Sequence, residues 1–91
     1  MQVETFKPSN ELTFFTVQSD SKRLIQFLHE NDATSIRLDL HEVSQCDSAG
    51  LALLIEAKKL CTQANKTLEI AGMTKAIYAL AKFCGVEAML A

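Results

Sequence analysis

The sequence predicts an α/β fold, with a four-stranded mixed sheet, an antiparallel hairpin at its N-terminal end and helices mainly on one face. Strand-like and helix-like segments alternate along most of the chain, which is the order of a parallel sheet with helical crossovers. The clearest strand alternates apolar and polar residues, so one face of the sheet should be covered. The 91 residues suffice for one hydrophobic core, and we expect a single domain over 1–91.

The hairpin is predicted from the first two segments, MQVETF and ELTFFTV, which are rich in Val, Thr and Phe. Between them lies KPSN, where Pro8 fixes φ while Ser9 and Asn10 can bond to nearby backbone. Two strand-like segments joined by turn residues predict antiparallel pairing.

A short helix is predicted next, within SDSKRLIQFLHEN. Leu24, Phe27 and Leu28 share one face at helical spacing. The candidate N-caps are Ser19, Asp20 and Ser21.

SIRLDLHEV is the clearest strand, because Ile36, Leu38 and Leu40 alternate with polar residues. A long helix follows from about Ser48 to Ala64, with a wide apolar surface. TLEIA is the last predicted strand.

The final helix has well-defined ends. Thr74 is a good N-cap, Ile77, Leu80 and Ala81 form an apolar stripe, and Gly85 suits the left-handed residue after the helix. We expect the tail EAML to cover a sheet edge or a helix end.

Composition argues against several classes of function. The net charge is −2, so the chain lacks the basic field that nucleic acids or anionic lipids would need. The N-terminus does not resemble a signal peptide, and the longest unbroken apolar stretch is far below the ~20 residues that span a bilayer. These features predict a cytoplasmic protein without direct membrane insertion. The three cysteines predict free thiols, with Cys61 and Cys84 buried.

Catalytic and cofactor signatures are absent from the sequence. The three glycines are too far apart for a phosphate-binding loop, and His29 and His41 lack ligand-spaced partners for a metal. A triad of Ser48, His41 and Asp47 lacks the Gly-x-Ser-x-Gly elbow of hydrolases. We therefore expect no enzyme activity, no cofactor and no metal.

The segment QCDSAGLALLIEA places Asp47, Ser48 and Gly50 directly before a hydrophobic helix. Ser48 has two readings: an ordinary helix cap, or a hydroxyl presented to a partner or a kinase at the positive end of the helix. Gly50 would either let a partner's backbone approach closely or ease the turn.

This arrangement resembles the STAS domain, the module of anti-sigma factor antagonists and sulfate transporters. The family carries Asp-Ser/Thr-x-Gly at a strand–helix junction, which Asp47, Ser48 and Gly50 match, and the resemblance covers roughly residues 11–90. GLALLIEAKKLC and IYALAKFCGV look most like the MlaB-type STAS subunits of bacterial lipid-asymmetry (Mla) transporters.

The resemblance implies a STAS-like fold and a regulatory protein that binds the ATPase of an ABC-type phospholipid transporter. Such a protein is cytoplasmic and peripheral to the inner membrane through its partner. The alternative is an anti-sigma factor antagonist in which a partner kinase phosphorylates Ser48. Oligomeric state stays open. The residues implied in partner binding are Asp47, Ser48, Ala49, Gly50, Leu51, Lys75, Tyr78 and Lys82.

Overall fold

The computed structural model describes residues 2–90. Within them, strands and helices alternate over most of the chain, as the sequence predicts. The strands are β1 Val3–Phe6, β2 Glu11–Leu12, β3 Ser35–Asp39, β4 Gln45–Cys46 and β5 Thr67–Ala71. The helices are α1 Val17–Glu30, α2 Ser48–Gln63, α3 Lys75–Phe83 and a terminal 3₁₀ helix, Glu87–Leu90.

The described strands pair in parallel and form two sheets rather than one mixed sheet of four. The larger sheet has the order β1-β3-β5, with Ser35 opposite Val3 on one side and opposite Thr67 on the other. The smaller sheet pairs β2 with β4. The predicted antiparallel hairpin is therefore wrong, and so is the four-stranded mixed layout.

The segment between β1 and β2 is bonded to α1 instead of forming a hairpin turn. The backbone N–H of Ser9 donates to the carboxylate of Asp20, and Ser9 Oγ donates to Asp20 Oδ1 at 2.8 Å. Arg23 donates to the same oxygen and to the carbonyl of Lys7. These bonds hold the segment between β1 and β2 against α1, and the two strands belong to different sheets.

The strand predicted in ELTFFTV ends at Leu12, and α1 begins at Val17. The N-cap is Thr16, three to five residues before the positions that the sequence predicts. Asp20 is no cap, because it lies within the helix and is fully buried.

One face of the larger sheet is buried and the other is open. Ile36 and Leu38 are buried, whereas Arg37 between them is exposed and donates to Glu69 of β5 at 2.8 Å. This alternation confirms the period-2 prediction for β3. The main core joins residues of all the helices to the strands; among its members are Phe6, Leu12, Leu24, Leu38, Leu40, Leu54, Ile77, Ala81 and Leu90.

The end of α3 forms as the sequence predicts. Gly85 adopts φ of 74°, its N–H donates to the carbonyl of Lys82, and the N–H of Val86 donates to the carbonyl of Ala81. This pair of bonds defines a Schellman motif. Cys84 is the C-cap and is exposed, so the prediction that it is buried is wrong: it lies at the end of α3, beyond the last buried residue of that helix, Ala81.

Candidate functional site

Asp47 is the N-cap of α2 and follows β4 directly. Its side chain accepts a hydrogen bond from the backbone N–H of Gly50 at 3.0 Å, and its carbonyl accepts from the N–H of Leu51 at 2.9 Å. The carboxylate therefore satisfies a free N–H of the first turn. The reading of Ser48 as the cap is wrong, because Asp47 fills that role.

The other carboxylate oxygen of Asp47 reaches a distant segment. Asp47 Oδ2 accepts from the backbone N–H of Phe14 at 3.0 Å, and the N–H of Asp47 donates to the carbonyl of Leu12 at 3.1 Å. The bonds from Phe14 and Gly50 favour the charged carboxylate, so the pKa of Asp47 lies below its usual value. One side chain thus joins the start of α2 to the segment after β2.

Ser48 is the first residue of α2 and is exposed. The prediction that this position faces outward is confirmed. The helix directs its positive end at the same place, and this is where a negative group on the hydroxyl would be best tolerated. Partner binding through Ser48 stays a prediction.

Gly50 and Leu51 face the interior rather than a partner. A Cβ added at Gly50 would overlap the carbonyl oxygen of Leu12, so the close approach that this glycine permits is made by β2 of the same chain. Leu51 is only 3% exposed and belongs to the core. Neither residue offers contact surface, which corrects the prediction for both. Ala49 is half-buried, so its contact stays a prediction.

Lys75, Tyr78 and Lys82 are exposed on α3. Their spacing of three and four residues places them on one helix face. Thr74 caps this helix as predicted, accepting from the N–H of Ile77 at 3.1 Å. In residues 2–90, no hydrogen bond or ion pair joins this face to the first turn of α2. Its partner contact stays a prediction.

Sequence reasoning missed three exposed aromatic residues: Phe14, Phe15 and Phe83. The sequence did contain a signal for Phe14 and Phe15. Adjacent residues of a strand point to opposite faces, so two consecutive phenylalanines cannot both enter one core from a strand. Their rings form an edge-to-face pair, with centroids 5.7 Å apart.

The cysteines and histidines form no reactive or metal-binding group in the described part of the chain. Burial, reinforced by the charge of Asp47, raises the pKa of Cys46 to about 11, so this thiol is protonated at neutral pH. His41 contacts Asp39, with 2.6 Å between Nδ1 and Oδ1, rather than Ser48. The triad considered from the sequence is therefore not assembled.

The comparisons with known proteins agree with this geometry. A family model described as "Mlab, STAS domain" matches residues 11–91.

The chain belongs to the STAS domain family.

A similar solved structure, entitled "Crystal structure of sulfate transporter family protein from Wolinella succinogenes", shows the same fold. It aligns with a TM-score of 0.76 at 20% identity, covering 98% of this chain and 71% of the other. No curated protein sequence matches. None of the helices described in residues 2–90 combines the length and the apolar character that a bilayer crossing requires.

Proposed function

We propose that this STAS protein is a non-enzymatic subunit that binds and regulates the ATPase of an ABC-type phospholipid transporter maintaining outer-membrane lipid asymmetry. The protein would be cytoplasmic and held at the inner membrane by its partner. The description of the matching family model supports this choice within the STAS family.

The observation that carries the proposal is the exposure of Ser48 on a turn fixed from both sides. The hydroxyl is on the surface, while Asp47 beside it holds the backbone of Gly50 and of Phe14. A pre-ordered turn loses little entropy when a partner binds it. A turn that contacts one ATPase conformation more favourably than another shifts the ATPase towards that conformation, and a coupling of about 1–3 kcal/mol is typical of such regulation.

The test is binding of the purified transport ATPase to Ser48→Glu and Ser48→Arg proteins. Both side chains fit an exposed position without unfolding the domain, and both should weaken the complex by steric conflict. Thr62→Glu and Thr62→Arg are matched controls, because Thr62 is an exposed hydroxyl residue in the last turn of the same helix. At 1.5 Å per residue the two positions are about 20 Å apart along α2. If all four variants bind the ATPase as tightly as the wild-type protein does, Ser48 is not part of the interface.

A second candidate is an anti-sigma factor antagonist switched by phosphorylation. The observation that favours it is the position of Ser48, which is exposed at the helix N-terminus. A phosphate there adds about −1.5 to −2 charges where the helix dipole tolerates them. Incubation with a cognate kinase and ATP should add one phosphate, seen by intact mass and lost in Ser48→Ala. Absence of any modified protein in cells would count against this candidate.

A further inference from the structure

Two exposed aromatic rings belong to a segment that is hydrogen-bonded to Asp47, the residue directly before Ser48. Phe14 is 73% exposed and Phe15 is 91% exposed, and both belong to the turn Thr13–Thr16, here called the aromatic turn. Single exposed apolar residues are common, but two adjacent rings at the tip of a turn form a continuous apolar projection. Neither ring belongs to the hydrophobic core.

The aromatic turn is held in one conformation by its own hydrogen bonds. The N–H of Thr16 donates to the carbonyl of Thr13 at 2.9 Å, and the N–H of Thr13 donates to Thr16 Oγ1 at 3.0 Å. The same hydroxyl donates to the carbonyl of Glu11 at 2.7 Å. The rings are therefore presented on a fixed backbone, which reduces the entropy lost on binding.

Asp47 links the aromatic turn to the start of α2 by hydrogen bonds. Its carboxylate accepts from the N–H of Phe14 on one side and from that of Gly50 on the other. Ser48 directly follows Asp47 in the sequence, so it is next to the residue that holds both segments. A protein that contacts Ser48 therefore meets the aromatic turn as part of the same unit.

In the two segments that carry the aromatic turn and Ser48, the charged side chains have one sign. Residues 8–21 and 42–57 contain no Lys or Arg, but five acidic residues. Asp20 and Glu42 are paired with Arg23 and Lys7. The remaining three are Glu11, Asp47 and Glu56, and the first two lie next to the aromatic turn. Two exposed rings close in sequence or by hydrogen bonding to acidic residues suit a protein recess with a cationic rim, whereas an anionic bilayer would repel the acidic residues.

The geometry points to the aromatic turn as the anchor of the partner complex: the ATPase receives Phe14 and Phe15 in an apolar recess bordered by Lys or Arg side chains. This inference rests on the proposed function and adds the element that supplies most of the affinity. Aromatic residues that enter a partner's pocket are frequent binding hot spots, whereas a serine contact adds little by itself.

The experiment compares the affinities of the purified ATPase for Phe14→Ala, Phe15→Ala and wild-type proteins. These substitutions keep the backbone N–H that bonds to Asp47 and remove only the rings. Each should raise the Kd about tenfold or more, with an unchanged melting temperature. Val3→Ala is the control, because Val3 is an apolar residue 49% exposed on β1 and should bind like wild type. Glu11→Lys should slow association, and added salt should reduce that difference.

The outcomes separate this inference from the proposed function. If the wild-type protein binds the ATPase and both Phe14→Ala and Phe15→Ala bind it equally well, the inference is overturned and the proposed function is kept. Failure of the wild-type protein to bind the ATPase would overturn both. Two further results would assign the rings to another occupant and overturn the inference: ring-dependent binding to vesicles of phosphatidylcholine and phosphatidylserine, or ring-dependent self-association in sedimentation velocity.

Discussion

Ser9 Oγ donates a hydrogen bond of 2.8 Å to Asp20, whose side chain is fully buried. The carboxylate also accepts from the backbone N–H of Ser9 and from Arg23. A buried carboxylate is tolerated only when such donors surround it. The pair holds the segment after β1 against α1, two residues before β2 begins.

Asp20→Ala should lower the free energy of unfolding by about 2 kcal/mol, because it leaves the donors of Ser9 without their acceptor. Urea denaturation followed by circular dichroism measures the change. Asp32→Ala is the control at an exposed position and should stay within about 0.5 kcal/mol of wild type. Equal stability of the two variants would contradict a structural role for the buried carboxylate.

Gly50→Ala should destabilise the domain by about 3 kcal/mol, because the added methyl group overlaps the backbone of Leu12. The carbonyl of Leu12 also accepts from the N–H of Asp47, so displacement of β2 would weaken the cap of α2. Thermal unfolding checks this, with the exposed neighbour Ser48→Ala as control. A Gly50→Ala protein as stable as that control would show that β2 does not pack closely on α2.

Asp47→Asn should reduce the dependence of stability on pH in the acid range. The folded-state pKa of Asp47 is lowered, mainly by the N–H of Phe14 and then by that of Gly50. The charged carboxylate therefore stabilises the fold above the unfolded pKa of about 4, and this contribution disappears as the pH falls through the lower folded value.

The difference in melting temperature between wild type and Asp47→Asn should thus be largest near neutral pH and shrink in acid. Asp39 has a pKa lowered chiefly by the N–H of His41 and is present in both proteins, so both lose some stability in acid. A difference that is constant with pH would mean that the charge of Asp47 contributes nothing. Differential scanning calorimetry over the acid range supplies the measurement.

Cys84 should be the one thiol among the three that reacts rapidly with Ellman's reagent in the folded protein. Cys61 is buried, and Cys46, with a pKa of about 11, is about one part in a thousand thiolate at pH 8. Cys84→Ser should abolish the fast phase, while Cys46→Ser should keep it. Two fast thiols in the wild-type protein would contradict the structure around Cys46.

The sequence alone determined the elements whose signals are local. The alternation of Ile36 and Leu38 with polar residues marks β3, and Thr74 and Gly85 mark the ends of α3. These patterns suffice because a period of two, a cap and a left-handed glycine each arise from neighbouring residues. The Asp47-Ser48 junction was found for the same reason, since it immediately precedes a strongly apolar helix.

Only the tertiary structure decided strand pairing and the composition of the candidate surface. The strands β2 and β4 have two residues each, too few for any periodicity, and their partners lie more than thirty residues away. The bond from Phe14 to Asp47 spans a similar distance along the chain. Long-range hydrogen bonds and exposure depend on how the whole chain closes. Phe14 and Phe15, which looked like strand residues, therefore lie exposed in the folded molecule on a turn that is bonded to Asp47, the residue before Ser48.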